Sequence, residues 1–76
     1  MKFTKHFLED VFPKRPYLTD ELLDEIIRNA IKTEIQEDNK IKIWGFSSVH
    51  NKFVRVILLE DGETVHIAFF DRNFKI

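Results

Sequence analysis

The stretch FVRVILLEDGETVHIAFF, residues 53–70, decides the fold. Two β-rich runs flank Asp61-Gly62, a pair that readily closes a two-residue hairpin, because a type I′ turn needs positive φ at both central residues. Closing that turn pairs Glu60 with Glu63, Leu58 with Val65, Val56 with Ile67 and Val54 with Phe69. Apart from the outermost pair this face is wholly apolar, which makes it the expected core face. The opposite face sets Phe53, Arg55, Ile57 and Leu59 against Phe70, Ala68, His66 and Thr64, and is amphipathic.

The same alternation continues upstream. In KIKIWGF, residues 40–46, Ile41 and Ile43 fit the core side, which sends Lys40, Lys42, Trp44 and Phe46 to the other. Bringing Ile35 beside Ile41 requires a three-residue turn, Glu37 to Asn39, with Asn39 left-handed. One sheet face is therefore expected to pack on helices, while the second displays Lys40, Lys42, Trp44, Phe46, Phe53, Arg55, His66 and Phe70.

Before Thr33 the period is helical. Phe3, Phe7 and Val11 recur at i, i+4 and i+8, with Leu8 and Phe12 beside them and Thr4 as N-cap. The segment PKRPY ends this helix, since its prolines lack backbone donors and restrict the residues before them. Thr19 then caps a second helix whose first turn carries Asp20 and Glu21, where the helix dipole favours anions. Leu18 and Leu23 form a hydrophobic staple, and Leu22, Leu23, Ile26, Ile27, Ala30 and Ile31 share one face. The expected fold is α+β: two N-terminal helices packed on one face of a three- to four-stranded antiparallel β-meander, residues 1–76 forming a single domain.

Composition limits the function. A 76-residue chain buries only about 60% of its unfolded surface, so a deep active site is not expected. There is no cysteine, and packing, with eight Phe among ten aromatics, must hold the fold. Net charge is −1, but residues 1–39 carry six basic and nine acidic side chains and residues 40–76 six and four. An anionic partner should therefore meet the second part. MKFTKHFLED is charged every few residues and no apolar run exceeds the four residues of Val56–Leu59. Neither a signal peptide nor a membrane span is expected, and the cytoplasm is the expected location.

Cations interleaved with aromatics can stack bases and neutralise phosphates, so RNA is one possible ligand of the second sheet face. The same apolar surface equally suits a homodimer or another protein, unless the second helix or the C-terminal tail covers it. His66 and Arg55 are diagonal neighbours in the expected register, a pairing suited to acid/base work beside a phosphate. His6, His50 and His66 lack ligand spacing, so no metal is expected. No Gly-rich phosphate loop or nucleophile elbow occurs, and no cofactor is expected. The adjacent acidic pairs Glu9-Asp10, Asp24-Glu25 and Glu37-Asp38 read as solvated charge.

KHFLEDV with His6, KRPYLTDE with Arg15, IQEDNKIKIWG, FVRVILLEDGETVHIAFFDR and the terminal Phe74-Lys75 together resemble a family of short bacterial proteins, frequent in cyanobacteria. That family looks distantly similar to the RelE and BrnT toxin superfamily. The resemblance implies two helices against an antiparallel sheet, and a polar set of His6, Arg15, Arg55, His66 and Arg72. In a metal-independent endoribonuclease, the toxin of a toxin-antitoxin pair or a remnant of one, His6 or His66 would move the proton of the ribose 2′-hydroxyl. Arg55 and Arg72 would stabilise the phosphorane. A small antitoxin-like protein would then be the partner.

Overall fold

The computed structural model describes residues 1–76. Its class is α+β, but the expected two helices on a three- to four-stranded antiparallel meander are not what forms. The sheet has five strands and is mixed: β1 (Lys2–Phe3), β2 (Lys32–Ile35), β3 (Ile41–Ser47), β4 (Lys52–Leu58) and β5 (Thr64–Phe70), in the order β1-β5-β4-β3-β2. β1 runs parallel to β5, pairing Lys2 with Thr64 and Phe3 with Val65. The other three pairings are antiparallel.

The departure at the N-terminus has a local cause. Phe3 belongs to β1 rather than to the first helix, and Thr4 is the junction. Its backbone N–H donates to the Val65 carbonyl, while its hydroxyl accepts from the Phe7 N–H at 3.0 Å, so Thr4 is the cap expected. The helical stretch that follows is short and irregular, a π turn over Phe7–Val11 and a 3₁₀ turn over Phe12–Lys14. Pro13 sits in the second turn, where the missing N–H costs least. Phe7 and Val11 are buried, whereas Leu8 and Phe12 remain on the surface.

The second helix, α1 (Asp20–Arg28), begins where expected, with the Thr19 hydroxyl accepting from the Leu22 N–H. Leu18, Leu22, Leu23 and Ile26 are buried. The helix stops at Arg28, so Ala30 and Ile31 lie beyond it, and the Ile31 N–H donates instead to the Trp44 carbonyl. No helix is long and apolar enough to cross a membrane.

The β2–β3 turn follows the sequence closely. Gln36 donates to the Lys40 carbonyl, Asn39 has φ 68°, and Ile35 pairs with Ile41. The β4–β5 turn does not. Gly62 has φ 71°, but Asp61 is not left-handed, and the closing bonds are Gly62 N–H to Leu59 O and Leu59 N–H to Thr64 O. Asp61 instead accepts from the Glu63 and Thr64 amides and the Thr64 hydroxyl. Those bonds, the Thr64 hydroxyl's first, hold its carboxyl down at about 2. A side chain that satisfies the loop amides removes the need for positive φ at both turn residues.

Leu58 still faces Val65, but a bulge follows, and Ile57 then pairs with Ile67, Val56 with Ala68, Arg55 with Phe69 and Val54 with Phe70. The expected pairs Val56–Ile67 and Val54–Phe69 are therefore displaced by one residue. Val54, Val56, Leu58, Val65 and Ala68 enter the core with Ile43 and the helices, and Phe70 packs against it. Each Val, Leu or Ile side chain among them contributes about 1.5–3 kcal/mol on full burial.

Ile26 lies directly over Gly45, where an added Cβ would stand 3.0 Å from Ile26 Cγ2 and 3.1 Å from the Ile26 carbonyl oxygen. Gly45→Ala should destabilise the fold by about 1–3 kcal/mol, read as a lower urea midpoint at unchanged slope. An unchanged midpoint would show that α1 does not sit this close to β3.

Candidate functional site

The bulge distributes the candidate residues over two places. Arg55, centrally placed in β4, projects from the sheet face away from the helices, opposite Trp44 on β3 and Phe69 on β5. Its guanidinium lies 5.2 Å from the Trp44 ring centroid and 5.1 Å from that of Phe69. Arg55 Nε and Nη2 donate to Asp71 Oδ2 at 3.0 and 2.7 Å, and Trp44 Nε1 donates to the same oxygen at 2.9 Å. The Asn73 amide donates to Oδ1.

Asp71 is thus a buried carboxylate with its acceptors filled, its side chain 5% exposed against 27% for Arg55. Burial pushes its carboxyl up. The hydrogen bonds from Trp44, Arg55 and the Asn73 amide, with the Arg55 charge, outweigh that and hold it below the ordinary value of 3.8. Fixing Asp71 also fixes the tail. Phe74 stacks on Trp44 at 5.3 Å and meets Phe53 edge-on at 5.1 Å. Trp44, expected on the open surface, is consequently buried beneath the chain's own C-terminal segment.

The rest of this face is open. Phe46 is 40% exposed and meets Phe53 edge-on. Ile57, Ile67 and Phe69 are half-buried. Lys32 and Lys42 reach over the Trp44 ring, 5.6 and 5.9 Å from its centroid. Lys40 is engaged with Asp38 at 2.8 Å.

His66, expected beside Arg55, lies elsewhere. It is the extra residue of the bulge, with Nδ1 3.1 Å from the Thr4 hydroxyl and its ring 5.0 Å from that of His6. His6 Nδ1 in turn lies 3.3 Å from Asp10. Burial holds the His66 imidazole below its ordinary 6.5, and His6 and Lys40 push the same way while Asp38 opposes them. Arg55 and His66 share no partner, so the expected imidazole–guanidinium pair does not form.

Phe70 moves to the helix side, stacked on Tyr17 at 4.3 Å with Lys52 over its ring. Arg72 is exposed on the rim of a shallow depression of about 430 Å³, shared with Lys52 and Phe53. Arg15 caps the 3₁₀ turn, its amide donating to the Phe12 carbonyl. Sequence reasoning missed Asp71, the anion that organises Arg55 and Trp44. Its signal is an acidic residue directly after an apolar strand, with Phe74 three residues on. His50 was also passed over; its Nδ1 lies 2.9 Å from the buried Ser47 hydroxyl, and its ring meets Tyr17 and Phe70.

Comparison of the chain with protein-family models, with curated proteins and with solved structures finds no match.

Two pH dependences follow. Because the folded-state pKa of Asp71 is depressed, its stabilisation is present above the unfolded value near 3.8 and is lost as pH falls below it. Asp71→Asn should cost about 1–3 kcal/mol at pH 7 and flatten the acid limb of a urea-melt series, with the Trp44 fluorescence change moving to lower denaturant. A depressed histidine behaves with the same sign: stability falls as pH drops from 6.5 toward the lowered His66 value. His66→Gln should remove that slope; its persistence would contradict the burial described.

Proposed function

We propose that this is a small cytoplasmic protein-binding module, and that the open sheet face is where the partner sits. The observation that carries the reading is the uncovered surface beside the tail. Phe46, Ile57, Ile67 and Phe69 form an apolar strip with Lys32 and Lys42 beside it, while Arg55 is held by Asp71. A patch of this kind favours a partner that supplies both apolar and acidic side chains. A second copy of the same face would set these cations against each other, so a small acidic protein, antitoxin-like in character, fits better than a face-to-face homodimer.

A metal-independent endoribonuclease is the second reading, favoured by one observation: two imidazoles with ring centres 5.0 Å apart, one of them, His66, with its pKa lowered by burial. Such a pair can divide acid and base roles. In this reading His6 and His66 carry the chemistry. Arg55 does not join them, because Asp71 already occupies its donors.

Tagged protein expressed in its own host, followed by identification of what co-purifies, separates the two. A retained acidic protein that is lost with Phe69→Ser or Lys42→Glu, and kept with Lys5→Glu, supports the binding module. A partner indifferent to the face variants, or none, refutes it. For the second reading, induction should arrest growth and cut messenger RNA in the presence of a chelator, and His66→Ala should abolish both. Intact RNA and normal growth would retire it.

A further inference from the structure

The open edge of the sheet is β2, and its sequence is complementary to itself. Residues 31–35 read Ile-Lys-Thr-Glu-Ile. All four residues of β2 are exposed, Ile31 is 43% and Ile35 74% exposed, and no strand covers this edge. Exposed edge strands ordinarily carry devices that block pairing: shortness, a lysine, proline, a bulge, or an inward charge. β2 is short and carries Lys32, but it has no proline, and two isoleucines stand at its ends.

The backbone is set up for a further strand. β2 pairs with β3 in the register Lys32–Trp44 and Glu34–Lys42, and Gln36 N–H donates to the Lys40 carbonyl. In an antiparallel ladder the bonded groups alternate along the strand. Lys32, Glu34 and Gln36 therefore spend their backbone groups on β3, as the Ile31 N–H does on the Trp44 carbonyl, and those of Thr33 and Ile35 project from the free edge.

We propose that β2 pairs antiparallel with β2 of a second copy of this chain about a two-fold axis at Thr33, joining two five-stranded sheets into one. In this register Thr33 faces Thr33 of the second copy and the two exchange N–H···O=C bonds. Lys32 faces Glu34 of the second copy, and Ile31 faces its Ile35. The two-fold repeats each contact, giving two opposite-charge pairs and two apolar pairs from one five-residue segment. A one-residue slip sets Thr33 against Glu34 and Lys32 against Ile35, losing both kinds of complementarity. The Lys32–Glu34 contact of 3.3 Å within one chain would be exchanged for its equivalent between chains.

This pairing uses the edge of the sheet and engages only Lys32 of the open-face residues, so it stands whether or not that face binds a partner. The strand contact is short, and the dimer should accordingly be reversible, forming at roughly 100 µM rather than at nanomolar concentration. Sedimentation equilibrium of the full chain measures it. Thr33→Pro removes an N–H that faces only the edge, and should raise the dimer dissociation constant at least about tenfold with an unchanged circular dichroism spectrum and melt. Lys32→Glu should weaken the dimer by a comparable factor. Lys32→Glu with Glu34→Lys should restore it to within about threefold of the parent. A monomer at these concentrations, a dimer insensitive to Thr33→Pro, or a double variant no tighter than Lys32→Glu would each overturn the proposal.

Discussion

The single extra residue in β5 governs the molecule. The bulge at His66 changes the phase of everything after it, so Ala68 rather than Ile67 enters the core opposite Val56, and Phe69 rather than Ala68 faces Arg55 on the outer side. Because strand side chains alternate, a shift of one position exchanges the two faces over the whole remaining strand. Asp71 depends on the same phase. With Asp71 N–H bonded to the Phe53 carbonyl, its carboxylate reaches Arg55 and Trp44 on the outer face.

From this follows a division of labour among the polar groups. Arg55 is a structural cation: it lies between two rings, neutralises a buried carboxylate, and holds the tail over Trp44. Removing one member of such a pair leaves the other desolvated without compensation, which is why Arg55 and Asp71 act together. The two histidines sit at the β1 edge, where Thr4 links the first strand to the first helical turn. The cations that remain available on the open face are lysines, whose ammonium groups attract a partner's charge without fixing its geometry.

Much of the fold was legible where a local signal and the tertiary structure agree. The Thr19 cap, the Leu18–Leu23 staple and the left-handed Asn39 all express short-range chemistry. Val56 and Leu58 entered the core as period two requires. β1 escaped notice because Phe3 fits the helical spacing of Phe7 and Val11, and only its parallel partner β5 distinguishes strand from helix. The bulge escaped because neither glycine nor proline marks it. Arg55 was correctly placed outward, yet its role was not readable, since Asp71 lies 16 positions away and reaches it only through the shifted phase.

The most direct measurement is the cross-strand pattern of nuclear Overhauser effects between β4 and β5. The bulged register predicts backbone contacts of Val56 with Ala68 and Arg55 with Phe69, with the His66 imidazole protons close to His6 and Thr4. Contacts of Val56 with Ile67, together with His66 close to Arg55, would mean an uninterrupted ladder, and the separation of the histidines from the arginine would be wrong.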